Sequence, residues 1–136
     1  VLTVAMDGIL FLRLLVERVR VALQGREYEI IVVDCGSRDG SRAWLKAQPD
    51  VRVVTRRQWP WQSAHRHGEA AEAGARLAKH DRIVLLDSDS HPMNSSWLAE
   101  SADRLDAQHR LAGAVFRPPP RQSAWLVFPS AFHDIL

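Results

Sequence analysis

Two carboxylates spaced by one residue close an apolar run at Leu85-Leu86-Asp87-Ser88-Asp89. In extended backbone, alternate residues face the same side, so Asp87 and Asp89 can offer oxygen ligands together to a hard divalent cation. Mg2+ or Mn2+ takes one or two protein carboxylates and completes its shell with water and substrate phosphates. His91 follows closely enough to add a nitrogen ligand if the metal is Mn2+. Turn carboxylates capping the next helix, beside a solvated loop histidine, would leave the same pattern, so spacing alone keeps both readings open.

A second cluster, Asp34-Cys35-Gly36-Ser37-Arg38-Asp39-Gly40-Ser41, follows the β-branched run Ile30 to Val33. A strand-end carboxylate at Asp34 can accept hydrogen bonds from a nucleobase or ribose. Gly36 and Gly40 permit tight turns, and Asp39 or Ser41 can cap a helix. A purely structural Asx turn fits the same residues. Neither GxGxxG nor GxxxxGK[ST] occurs, which removes the dinucleotide fingerprint and the phosphate loop from consideration. A third stretch, Arg56 to His67, interleaves arginines with Trp59 and Trp61. There Arg57 could fork onto donor phosphates from a mobile flap. The stretch could equally meet an anionic acceptor or membrane head groups, or be a solvated loop with its tryptophans packed on the domain.

These residues need elements to position them. Val1 to Ala5, Glu29 to Val33, Val51 to Thr55, Arg82 to Leu86 and Leu111 to Phe116 read as strands. Leu12, Leu15, Val16, Val19, Ala22 and Leu23 keep the three-four spacing of one helix face, with Gly25 as a stop. Further helices are expected over Ser41 to Gln48, over the alanine-rich stretch Glu69 to Lys79, and after Pro92 and Ser95. Arg56 to His67 is expected as a loop. Alternating strands and helices build a mostly parallel sheet with right-handed crossovers, and ligands of such sheets sit beyond the carboxyl ends of the strands. Asp7, Asp34, the Arg56–Arg57 pair, and Asp87 with Asp89 would all gather at that edge. Past Phe116, Pro118 to Pro120 form a stiff linker, and Trp125 to Phe128 offers one more strand.

The 136 residues suffice for one core, with 46% hydrophobic and 25% charged residues, as in ordinary globular chains. A formal charge of +2 argues against a dedicated nucleic-acid binder. The single cysteine excludes an internal disulfide and fits a reducing compartment. No stretch approaches the roughly 18 apolar residues of a membrane span, because Arg13 and Glu17 interrupt the richest run. A cytoplasmic location is expected, with peripheral contact at the inner face of the membrane as a variant. The start at Val1 without methionine and the apolar end at Ile135 and Leu136 suggest a fragment.

In this order, the motifs resemble those of the family-2 glycosyltransferases of GT-A fold. Members carry a β-branched strand ending in Asp, then Gly-Ser-x-Asp-Gly-Ser, a glycine- and alanine-rich helix, and a hydrophobic strand running into Asp-x-Asp. Here those are Asp34 to Ser41, Gly68 to Ala78, and Ile83 to Asp89. The resemblance covers about residues 1 to 116 and implies a three-layer, Rossmann-like α/β domain truncated at the acceptor side. Residues 117–136 would then be a proline-rich linker and the start of the acceptor-side region.

By the same resemblance, Asp34 lies near the nucleobase, Asp87 near the ribose or metal, and Asp89 on the Mn2+ or Mg2+ bridging the diphosphate. Cys35 stands where members place Asp or Asn beside the base, Glu72 where Asn is common, and His80 where glycine is frequent. Asp7, at the exit of the first strand, is a further expected base contact.

The implied reaction moves a sugar from a nucleoside diphosphate of UDP or dTDP type to an acceptor hydroxyl, with inversion. A lipid-linked or polysaccharide hydroxyl would be a suitable acceptor. The general base is an Asp downstream of the metal motif in members, and Asp134 beside His133 is the late candidate here. Two rivals stay open: a degenerate domain that binds a nucleotide sugar or a partner without turnover, and a nucleotidyltransferase. The latter would need a glycine-rich, arginine-containing loop near the first strand, which this chain lacks. With so little chain after the fifth strand, the expectation is donor binding with poor transfer unless a second subunit, as in a homo-oligomer, or further sequence completes the acceptor cleft.

Overall fold

The computed structural model describes residues 1–56, 63–91 and 95–104. The expected strands at 111–116 and 125–128, the proline linker, Arg57, His133 and Asp134 lie outside the described residues.

Four strands alternate with four helices: β1 (Leu2–Ala5), α1 (Ile9–Ala22), β2 (Ile30–Asp34), α2 (Ser41–Lys46), β3 (Val51–Thr55), α3 (Ser63–Ala75), β4 (Leu85–Asp87) and α4 (Ser95–Arg104). The strands form one all-parallel sheet in the order β3-β2-β1-β4. β2 is buried along its whole length, as its unbroken β-branched run requires of a strand covered on both faces.

On one side of the sheet, Ala5, Ile30, Val32 and Leu86 pack with Leu12, Leu15, Val16 and Val19 of α1, Leu45 of α2 and Leu98 of α4. Those four α1 residues belong to the predicted helix stripe, and each is 0% exposed. On the other side, Leu2, Val4, Ile31 and Val33 pack with Ala70 of α3, joined by Ala71, Ala75 and Ala78. The alanine-rich composition is what lets α3 lie close to the strands. Gly74 carries this furthest: a Cβ there would overlap Leu2 Cδ1 and stand 2.8 Å from Val33 Cγ2. The architecture is thus three-layered, with α1, α2 and α4 on one face and α3 on the other.

The largest differences from the sequence expectation are at α3, which ends at Ala75 and not Lys79, and at β4. α3 begins at Ser63, inside the stretch read as a loop through His67. The stretch lacks apolar periodicity, so the pattern gives no sign of the first helical turn. β4 covers Leu85–Asp87 where Arg82 to Leu86 was expected, because only these three residues pair with β1.

Candidate functional site

The chain runs β1, β2, β3 outward in one direction and returns across the α3 face to place β4 on the other side of β1. The order therefore reverses between β1 and β4, and the crevice beyond the carboxyl ends of a parallel sheet at such a switch point is where ligands seat. β1 delivers Asp7 to this point and β4 delivers Asp87 and Asp89. Asp87 is in register with Val4 of β1, and Asp34, across β1 on its other side, with Ala5. Two strand spacings separate β2 from β4, so the backbones at Asp34 and Asp87 stand about 10 Å apart.

At the β4 exit, Ser90 N donates to Asp87 O at 2.9 Å, closing a turn that leaves both carboxylates exposed. Neither joins the ion pairs among the described residues. His91 Nε2 lies 3.3 Å from Phe11 O, and its ring is 6.1 Å from that of Phe11, which ties the turn to α1. Among the described residues, no three of His, Cys, Asp or Glu gather around one point. A cation held wholly by protein is thus a poor fit here. A cation taking one or two carboxylates and sharing its shell with phosphate fits the Asp87–Asp89 pair.

The exits of β1 and β2 are bonded to each other. Asp34 is 0% exposed. Its Oδ1 accepts from Ser37 N at 3.0 Å, and its Oδ2 accepts from Arg42 Nε at 2.5 Å. Burial raises the pKa of this carboxyl, but the hydrogen bonds from Ser37 and Arg42 together outweigh it and leave the group below its ordinary value. Ser37 Oγ also accepts from Asp7 N at 2.8 Å, while Asp7 Oδ1 accepts from Arg38 N at 2.7 Å. Asp7 adopts a left-handed backbone conformation, φ 62, which asparagine and aspartate tolerate better than other side chains.

Asp39 completes the link. Its Oδ2 accepts from Ile9 N, the first residue of α1, at 2.8 Å, and its Oδ1 accepts from Ser41 N, the first of α2, at 3.0 Å. Hydrogen bonding by the Ser41 side chain leads the lowering of its pKa to about 2; burial opposes it, and the backbone N–H groups of Ser41, Ile9 and Gly8 add to the lowering. One carboxylate thus serves two helix starts, where orphan N–H groups favour an anion.

The remaining predicted residues are placed less centrally. Cys35 is 2% exposed on the α3 side of the sheet. Burial, then the neighbouring Asp34 charge, pushes its thiol up, with Arg56 opposing. Glu72 is exposed on α3 and paired with Arg76 at 2.6 Å, one helical turn away. Arg56, at the β3 exit, donates from Nη1 to Glu69 O at 2.8 Å. A cavity of about 500 Å³ opens at the amino end of the strands, beside Val1, Tyr28, Arg82 and Asp103, and none of the predicted site residues lines it.

Sequence reasoning did not identify Arg42 as the partner of Asp34, nor Asp39 as a tie between two loops. Glycine-flanked polar residues signal a turn, but Arg42 meets Asp34 only once α2 folds back beside β2, and Ile9, 30 positions from Asp39, only once β1 and β2 are in register.

The family model described as Glycosyl transferase family 2 matches residues 3–128. No curated protein matches the chain.

Proposed function

The chain belongs to glycosyl transferase family 2, and from that premise we propose that it transfers a sugar from a UDP- or dTDP-type donor to an acceptor hydroxyl, inverting the anomeric carbon. The observation that carries this reading is the pair of exposed carboxylates, Asp87 and Asp89, leaving β4 at the point where the strand order reverses. In this reading the donor lies across the exits of β1 and β4. Asp89, with Asp87, would hold Mn2+ or Mg2+, and Asp87 would also serve the ribose. The bound cation would supply a Lewis acid that offsets charge on the departing diphosphate.

The chain's own residues do the rest. Asp7 faces the nucleobase side of the crevice. Asp34 supports the same side by holding the Cys35–Gly36 turn, through Ser37 and Arg42. The acceptor hydroxyl must lose its proton as its oxygen attacks the sugar carbon, and Asp134 is the proposed general base. A lipid-linked or polysaccharide hydroxyl would meet the requirement for an acceptor.

Calorimetric titration with UDP and dTDP tests the donor half directly. Binding in the presence of Mn2+ that collapses on adding EDTA is the expected result. Equal affinity with and without metal would remove the cation from the reading, and no binding under either condition would remove the donor.

A further inference from the structure

We propose that Asp39 is a positioning residue for the donor site, clasping the starts of α1 and α2 so that the β1 exit, and with it Asp7, is held against the β2 exit. The inference deepens the donor-site reading above and rests on it.

Only Met6, Asp7 and Gly8 join β1 to α1. Of these, Asp7 and Gly8 both have positive φ, at 62 and 87. A two-residue left-handed stretch is an uncommon backbone state for which Asp7 lacks glycine's freedom, and such states persist where surrounding contacts over-determine them. Those contacts come from the β2–α2 segment. Ser37 Oγ takes the N–H of Asp7, and Arg38 N donates to its carboxylate. Asp39 takes the N–H of Ile9, immediately after the left-handed pair.

The same carboxylate receives Ser41 N and Ser41 Oγ through its other oxygen, the latter at 2.5 Å. Each oxygen thus serves a different helix, and the residue stays ionised at neutral pH. A carboxylate meets this demand and a carboxamide cannot, since its NH2 group donates where an acceptor is needed. If Asp39 lets go of α1, the short connection loses the bond that fixes its far end, and Asp7 can leave the left-handed state. A helix cap alone would stabilise α1 or α2 without any such effect on Asp7.

The test compares Asp39→Asn with Asp50→Asn in the full chain. Asp50 pairs with Arg20 at the amino edge of the sheet, away from both exits. Amide hydrogen exchange at Asp7, Ile9 and Arg38 is followed by NMR, and UDP affinity with Mn2+ by calorimetry. Asp39→Asn is expected to speed exchange at all three amides and weaken UDP binding, each by about tenfold, the scale of one lost charge-assisted hydrogen bond. Asp50→Asn should leave both unchanged while lowering thermal stability.

Faster exchange at Ile9 with none at Asp7 and Arg38 would reduce Asp39 to a cap and overturn the proposal. So would loosened loops with unaltered UDP affinity. Ser37→Ala removes the acceptor of Asp7 N without touching either helix start, and it should reproduce the loss of affinity should Asp39→Asn fail to fold. If the unaltered chain binds no nucleoside diphosphate, the donor-site reading falls and the donor half of this proposal with it, while the exchange pattern still separates clasp from cap.

Discussion

Replacing Arg42 by alanine removes the cation from a carboxylate that has no exposure to solvent. Asp34 has 0% side-chain exposure and Arg42 37%. Breaking a fully buried pair by deleting one partner costs about 3–5 kcal/mol. The half-exposed arginine leaves a path along which water can reach Asp34, and Ser37 N still bonds it, so about 2–3 kcal/mol is the expected loss at neutral pH. With a urea dependence of about 1.5 kcal/mol per molar for a chain of this size, the unfolding midpoint should fall by about 1.3–2 M.

The loss should also depend on pH, with a sign fixed by the carboxyl group. In the unaltered chain the folded pKa of Asp34 lies below 3.8, so its contribution is present above that value and fades as pH falls through the folded pKa. Arg42→Ala takes away part of that depression, so the gap between the two proteins should narrow in acid. Asp34→Asn combined with Arg42→Ala should recover much of the loss, because no buried charge is then left unpaired. Urea titrations followed by circular dichroism across pH 3 to 7 would measure all of this. A gap below about 0.5 kcal/mol at pH 7, or one that widens in acid, would refute the argument that this pair is a buried, mutually dependent unit.

Three further outcomes are expected. Gly74→Ala should gain about 1 kcal/mol in helix propensity but lose more to overlap with Leu2 and Val33, for a net destabilisation of about 1–2 kcal/mol by thermal or urea unfolding. Asp39→Asn should flatten acid unfolding between pH 3.8 and about 2, because the lowered pKa of the carboxylate gives stability that is complete above the first value and lost toward the second. Asp89→Asn should leave metal-free thermal stability unchanged, as befits an exposed turn residue, while weakening Mn2+-dependent UDP binding by about 10- to 100-fold in calorimetry.

The sheet was legible because burial on both faces leaves a mark in the sequence. Ile30 to Val33 could be little other than an interior strand, and Val51 to Thr55 was bounded correctly at both ends. The stripe from Leu12 to Val19 likewise declared its helix. The start of α3 was hidden because Ser63 to His67 carries no apolar repeat, and the reach of β4 depends on which of its residues meet β1, which its own pattern does not record. At the candidate site, strand exits followed from topology, so the approach of Asp7, Asp34 and Asp87 to one edge could be anticipated. The bonds that join them could not. Arg42 to Asp34 and Asp39 to Ile9 link side chain to side chain or side chain to backbone across separate elements, and their geometry arises only after α1 and α2 have docked.

The place of β1 in the middle of the sheet has a consequence for the order of assembly. Its pairing with β2 closes a segment of about 30 residues, whereas its pairing with β4 must close one of about 80, at an added entropic cost of about 1 kcal/mol. The β1–β2–β3 half, with the bonds between its two loops, should therefore form ahead of the β4 edge. β4 contributes only three paired residues to the ladder. The strand carrying Asp87 should be the last to join during folding, and its amides the first to exchange when the native protein opens locally.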